Sequence, residues 1–497
     1  MVKKLFIFFI PLLFLNTVFA WYYEGWTYRT VIIIQEMSGT DLYDYQLPII
    51  INTTEYIMNG KMNFDCSDIR FTYLNTTDNT EIPIPYWLES GCNTKNTKIW
   101  VRIPYIPAEG TVIIYMYYGN RYALSESSPE NVFIRIIDGL VGAWHFEDNV
   151  NDTSGNNIQG TILGEPTFVD GVIGRAIEFD GVNDALIIQP ISFYGWTEFT
   201  IVEWVYAYNP KANADWSKFS MIGDAWNEQV ATYIGTTNGE NYTNIRVYFL
   251  TKRTTDGALL YNAYDFSSYV NTWVHIVRRF TSSREYSVWL NGNKVYSRTI
   301  GTNELTILDI DPNTATVPER YRRFILGANS IPYEYMKHKT DELFIFNRAL
   351  TDEEIADLYN NYGYTTVNYP GKVLVRKYVA VEPVYYIKWE ESLIQVVKTL
   401  SNFLKSLPDL ILFLIAIMIA FGLFAFRNYL VTVKHLDSYS IAFLSYFALF
   451  LVGTWLTLSI AMAEEPPSPL DQGILLIYWM MSLVLLIIDI LDLEKRK

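Results

Sequence analysis

Over residues 21 to 125, apolar and polar positions alternate in short runs: YRTVIIIQ, YQLPIIIN, DIRFTYL, TKIWVRIP and TVIIYMYYGN. Prolines and Asn/Gly clusters separate these runs. A period of two puts every second side chain on one face of an extended strand, so the segment predicts an antiparallel β-sandwich. The same alternation returns in AIEFDG, ALIIQ, FTIVEWVYA, WVHIVRRF, YSVWLNG and ELFIFN, bounded by Gly, Asn and Asp turns. VWLNGNKVYS predicts a hairpin turning at Asn291-Gly292-Asn293, and Thr351 with Glu354 forms a capping box for a short helix after the last strand. Near the C-terminus the pattern changes to three apolar runs, Leu410–Phe426, Tyr439–Met462 and Gly473–Leu491. Each is close to the ~20 residues that cross a bilayer as a helix. The expected fold class is mainly β: two β-sandwich domains followed by a C-terminal bundle of three transmembrane helices.

The two ends of the chain agree on orientation. Lys3 and Lys4 precede the apolar run LFIFFIPLLFL, and Val18-Phe19-Ala20 ends in the small residue that a signal peptidase needs, so residues 1–20 predict a signal peptide. Arg427 and Lys434 on the first linker, and the EKRK tail, predict that both are cytoplasmic. The region before the spans then lies outside, as the signal peptide independently requires. No charged residue sits in the middle of a span, so the helices read as an anchor in the lipid bilayer. Leu393, Val396, Leu400, Phe403 and Leu407 recur at three- and four-residue steps. They fit either a short coiled-coil stalk or an amphipathic helix on the bilayer surface. Self-association through the stalk or the spans is one partner this implies.

Composition narrows the partners. The chain is half apolar and 16% aromatic, which excludes disorder, and its net charge of −15 argues against nucleic acid. Its two cysteines, Cys66 and Cys92, both fall in the exported part, where a disulfide is the expected use. A loop of that length would stabilise the fold by roughly 3–4 kcal/mol on the chain-entropy estimate. Asn52, Asn75, Asn151 and Asn241 each precede x-Thr and are candidate glycosylation sites.

Two resemblances follow from the motifs. WTYRTVIII, LYDYQLPIII, DCSDIRFTYL, IPYWLES and IWVRIPYIPAEGTVIIYMYYGN resemble the domain-of-unknown-function family DUF2341 of archaeal and bacterial surface proteins. GLVGAWHFEDNVNDTSGNN, GRAIEFDGVND and DELFIFNRALTDEEIADLY resemble, in order and spacing, the laminin-G-like, concanavalin A-type jelly roll, from about Gly139 to Gly363. The second resemblance implies a carbohydrate- or protein-binding module more often than an enzyme. It also implies a structural calcium tying the opening loop to the final strand, at Asp152, Asn157 and Asp341. Calcium takes six to eight oxygens, which carboxylates and loop carbonyls supply. The competing reading is that Asp152 caps a turn and Asp341 makes a hydrogen bond.

Candidate chemistry is sparse. Related endoglucanases carry two glutamates on one strand face, but Glu178-Phe179-Asp180 has no second Glu at either spacing. The four histidines are scattered, and no HExxH, GxSxG or phosphate loop occurs. The chain is therefore expected not to be an enzyme. The polar stretch NPKANADWSKFSMIGDAWNEQV brings Trp216 and Trp226, which would either stack on sugar faces or pack the loop onto the sheet. Asp65, Ser67 and Asp68 fit either a cation site or an Asx turn.

The domain plan is a signal peptide (1–20), a first β-sandwich (21–130), a jelly roll (131–363), a stalk or connector (364–407) and the three spans (408–497). The expected function is a multi-pass, cell-surface recognition or adhesion protein binding a glycan or a surface glycoprotein. A virion envelope protein for host attachment and a polysaccharide-cleaving hydrolase are the alternatives.

Overall fold

The computed structural model describes residues 22–393, apart from 24, 79, 209–217, 225–228, 236–243, 267–268, 316–317 and 330–333. The expected signal peptide, Trp216, Trp226, Asn241, the three apolar runs and all of the heptad seam but Leu393 lie outside the described residues. Among the described residues, no helix is long and apolar enough to cross a membrane. The chain divides after Glu391, and the description below concerns the first unit.

The fold is mainly β, with strands where the alternation placed them. β1 (Tyr28–Gln35), β2 (Leu42–Ile51), β3 (Arg70–Asn75), β4 (Thr80–Ile84), β5 (Tyr86–Ser90), β6 (Thr97–Ile106) and β7 (Thr111–Tyr118) make the first sandwich, with a short helix α1 (Thr53–Met58) after β2. One sheet contains β1-β7-β3-β4 and the other is β2-β6-β5. The register Leu47↔Val101 and Ile49↔Ile99 turns these residues into the core, where Ile32, Ile34, Ile103, Ile114 and Met116 meet them. Burying such a side chain completely is worth roughly 1.5–3 kcal/mol.

A short helix, α2 (Pro129–Val132), and a strand, β8 (Arg135–Asp138), lead into the second sandwich. There β9 (Leu140–Trp144), β10 (Gln159–Leu163), β11 (Thr167–Asp170), β12 (Arg175–Asp180), β13 (Ala185–Gln189) and β14 (Phe199–Ala207) come first. They are followed by β15 (Lys218–Gly223), β16 (Gln229–Gly235), β17 (Asn244–Arg253), β18 (Leu259–Phe266), β19 (Trp273–Phe280) and β20 (Glu285–Leu290). β21 (Asn293–Thr299), β22 (Glu304–Leu305), β23 (Phe324–Leu326) and β24 (Lys337–Phe346) complete it. One sheet runs β10-β13-β23-β15-β16-β17-β18 and the other β11-β12-β24-β14-β19-β20-β21. Between them, Ile201, Val205, Ile276 and Val288 pack on Leu186, Ile188, Val230, Val247, Phe249 and Phe324. An ion pair lies in this core on one sheet: Arg278 Nη2 is 2.7 Å from Glu203 Oε1, which also accepts the Ser220 and Thr232 hydroxyls of the facing sheet. The expected hairpin at Asn291-Gly292 is present between β20 and β21, with both residues at positive φ.

The outer face of the β14 sheet is partly covered. Helix α3 (Asp352–Asn360) carries the expected capping box of Thr351 and Glu354. Together with β25 (Tyr362–Tyr364) and β26 (Lys372–Arg376), it brings Leu350, Ile355, Leu358, Val373 and Val375 over Val202, Val277, Trp289 and Phe344.

The connector from Tyr364 forms strands that pack on the sandwiches up to Ser392. β25 and β26 pair with β8 as a small sheet, whose Leu374 joins Trp87, Trp100, Val132 and Phe133 in an apolar cluster at the junction of the two sandwiches. β27 (Val384–Ser392) then returns to the first sandwich as the edge strand beside β1. Its acidic end is held there: Arg29 Nε pairs with Glu391 at 2.6 Å and Lys61 Nζ with Glu390 at 2.5 Å. The aromatic, alternating composition that reads as a rigid connector is thus used for pairing, up to Ser392.

Candidate recognition site

The opening loop after β9 and the start of β24 meet around buried polar groups. His145 Nδ1 lies 2.7 Å from Glu342 Oε2, and His145 Nε2 lies 2.8 Å from Thr365 Oγ1, which also contacts the Thr153 hydroxyl. Glu342 sits at a bulge, where Val202 pairs with Phe344 but Trp204 pairs with Asp341, and its φ is +49°. A non-glycine residue held in the left-handed region is strained, and such strain collects where a side chain must be re-aimed. Burial pushes the carboxyls of Asp341 and Glu342 well above the ordinary range and lowers His145 to about 4. Burial thus disfavours the charged form of both partners. Asp341 Oδ1 and Glu342 Oε1 are buried with no hydrogen-bond partner.

The three residues expected at calcium take structural roles. Asp152 Oδ1 accepts the N–H groups of Ala143 and Ser154, and Oδ2 accepts the Ser154 hydroxyl and the Ile158 N–H. A carboxylate offers about four acceptor positions, so Asp152 is fully used in closing its loop. Asn157 Oδ1 accepts from Gln159 Nε2. Asp341 Oδ2 accepts the N–H groups of Val172 and Ile173 at 2.8 and 3.1 Å. Gly171 is required beside it, since a Cβ there would lie 2.4 Å from that oxygen. Among the described residues, no group of three His, Cys, Asp or Glu is placed to hold a metal ion.

The other candidate residues are placed as follows. Cys66 and Cys92 form a disulfide with Cα atoms 6.0 Å apart, joining the turn before β3 in one sheet to the turn after β5 in the other. Asp65 Oδ1 accepts the Ser67 N–H in an Asx turn, and Asp68 accepts from Asn63 N and Gly119 N. Asn151 is exposed, and Asn75 lies at the β3–β4 turn; Asn52 stands at the start of α1 with its side-chain oxygen buried. Of the described residues flanking Trp216 and Trp226, Tyr208 follows β14, Lys218 begins β15, Asp224 follows β15 and Gln229 begins β16. His275 is buried in the sheet, and burial lowers it to about 3. Sequence reasoning missed the His145–Glu342 pair, although a glutamate inside the apolar run ELFIF was a visible signal.

Residues 65–151 match the family described as a domain of unknown function, DUF2341. Paraclostridial mosquitocidal protein 1 of Paraclostridium bifermentans is 26% identical over 239 residues, which is 46% of this chain and 18% of that protein. The chain therefore spans less than a fifth of that relative's length. Among solved structures, the binding domain of Paraclostridial Mosquitocidal Protein 1 is 18% identical, with a TM-score of 0.34 covering 47% of this chain and 55% of that one. Domain 4 of AbnA, a GH43 extracellular arabinanase from Geobacillus stearothermophilus, in complex with arabinotriose, is 18% identical, with a TM-score of 0.34 covering 45% of this chain and 98% of that one. The receptor binding domain of botulinum neurotoxin C/D mosaic serotype is 15% identical, with a TM-score of 0.34 covering 45% of this chain and 52% of that one.

Proposed function

We propose that the chain is an outward-facing recognition protein whose second sandwich, a laminin-G-like jelly roll, binds carbohydrate or a surface glycoprotein. In this reading the apolar runs beyond residue 408 anchor it in a membrane. The observation that carries the proposal is the return of β27 to β1. Arg29, at the start of β1, meets Glu391, at the end of β27, so the chain enters and leaves the described unit at the same end of the first sheet.

The carboxylates of the second sandwich support binding over cleavage. Glu178 is opposite Thr167 and Lys339 in the sheet, and it accepts the Tyr208 hydroxyl. Asp180 caps its turn through the N–H groups of Val182 and Asn183, and Glu203 is committed to Arg278 in the core. Glycoside hydrolysis needs two carboxyls facing each other across the scissile bond. The test is a glycan and glycoprotein array probed with the detergent-solubilised full chain. Retention on a defined ligand class is expected, and an array on which nothing is retained overturns the proposal.

A further inference from the structure

On the outer face of the β14 sheet, the cover formed by α3 ends at Trp204, whose ring stacks on Tyr359. One step further along the strands, the register aligns Glu178, Lys339, Tyr206 and Trp273 side by side on β12, β24, β14 and β19. Residues directly opposite in antiparallel strands share a face, and strands are ~4.8 Å apart, so the row spans about 14 Å. Tyr208 and Lys337 extend it by a second row. Tyr206 meets Trp273 edge-on at 5.6 Å and Tyr208 at 5.1 Å. Lys339 Nζ lies 5.0 Å from the Tyr206 ring centre and Lys337 Nζ 4.9 Å from that of Tyr208. All six side chains are partly or fully exposed.

We propose that this row of Trp273, Tyr206 and Tyr208, with Lys337 and Lys339, is the binding platform for an acidic polysaccharide. The inference rests on the carbohydrate reading above and names its ligand class and location. Three adjacent aromatic rings at a sheet surface offer apolar faces to the C–H faces of sugar rings, while the Tyr and Trp polar tips reach the hydroxyls. Charge selects the acidic class. The protein carries a net charge of −15, yet these two lysines have no carboxylate within ion-pair distance among the described residues and rest only on aromatic rings. A cation over an exposed ring is weakly held, so a sugar carboxylate would gain a charge-assisted hydrogen bond at little cost. Glu178 is tied to the Tyr208 hydroxyl and faces the same row, which leaves it to accept from a sugar hydroxyl.

The experiment is calorimetric titration of the detergent-solubilised full chain with polygalacturonate, and separately with neutral dextran and with polyglutamate. Polygalacturonate is expected to bind more tightly than either, and more weakly as salt rises. The double variant Lys337→Gln/Lys339→Gln, changed at surface positions, is expected to keep its melting temperature and lose affinity about tenfold. Trp273→Ala is expected to weaken binding to polygalacturonate by a similar factor. Unchanged affinity in the lysine variant overturns the platform while leaving a carbohydrate function elsewhere on the sandwich intact. Equal binding of polyglutamate overturns the assignment to sugars. Failure of any glycan to bind the unaltered chain, on the array and in this titration, removes the carbohydrate reading itself.

Discussion

Glu89 of β5 accepts the hydroxyl of Tyr364 at 3.0 Å, joining the first sandwich to a residue 275 positions later in the chain. The same carboxylate accepts the Trp100 indole N–H at 2.7 Å and the Thr366 hydroxyl at 2.7 Å, and it pairs with Lys98 at 3.0 Å. Burial raises its pKa, but Lys98 and these donors outweigh that and hold the carboxyl below the ordinary range. Its contribution is therefore complete above the unfolded carboxylate pKa and is lost as pH falls through the folded value. Glu89→Gln should cost about 1–3 kcal/mol at neutral pH, and less as the solution is acidified. Calorimetric melting at several pH values checks this, and a cost that does not vary with pH would contradict it.

The ion pairs of β27 predict a protease phenotype. Glu390 accepts the Tyr118 hydroxyl as well as pairing with Lys61, and Glu391 pairs with the nearly buried Arg29. In the double variant Glu390→Gln/Glu391→Gln, trypsin should cut at Lys377 or Lys388 several-fold faster than in the unaltered chain. Mass spectrometry of the fragments reads the sites. Equal cleavage rates would mean that backbone pairing alone holds the strand.

Glu342 predicts a specific pH dependence. Its carboxyl keeps its proton in the folded state at pH values where the unfolded chain, with a pKa of about 4.3, has released it. Stability therefore falls as pH rises above that value toward the raised folded pKa. Glu342→Gln retains an N–H donor for the neutral His145 ring and removes the titration. The variant should match the unaltered chain in melting temperature near pH 4 and exceed it at pH 7. A variant less stable at both would indicate an ionised pair instead.

Sequon geometry separates the glycosylation candidates. Expressed in a glycosylating host, the chain should be modified at Asn75 and Asn151. It should be spared at Asn52, whose side-chain oxygen is buried against the fold. Peptide mapping after deglycosylation in heavy-oxygen water reads each site.

Much of this fold was legible because it is written locally. Period-two alternation marked the strands, Asn291-Gly292 the hairpin, and Thr351 with Glu354 the helix start. The disulfide followed from there being only two cysteines. What was hidden depends on register and long-range pairing. Tyr206 and Tyr208 alternate in VYAYN, and Lys337 and Lys339 alternate in KHKTD, so each pair visibly shares a face. Only the pairing of β14 with β24 brings the two pairs together. The bulge at Glu342 and the return of β27 to β1 are likewise decided by partners more than a hundred residues away. The four hydrogen bonds of Asp152 are likewise set only once its loop is folded.

The claim that the second sandwich recognises rather than cleaves is tested most directly on a polysaccharide that the full chain retains. Reducing ends are measured over time for the unaltered protein and for Glu178→Gln. The account predicts retention by the unaltered chain and no reducing-end release by either. Release by the unaltered chain that disappears in Glu178→Gln would contradict it.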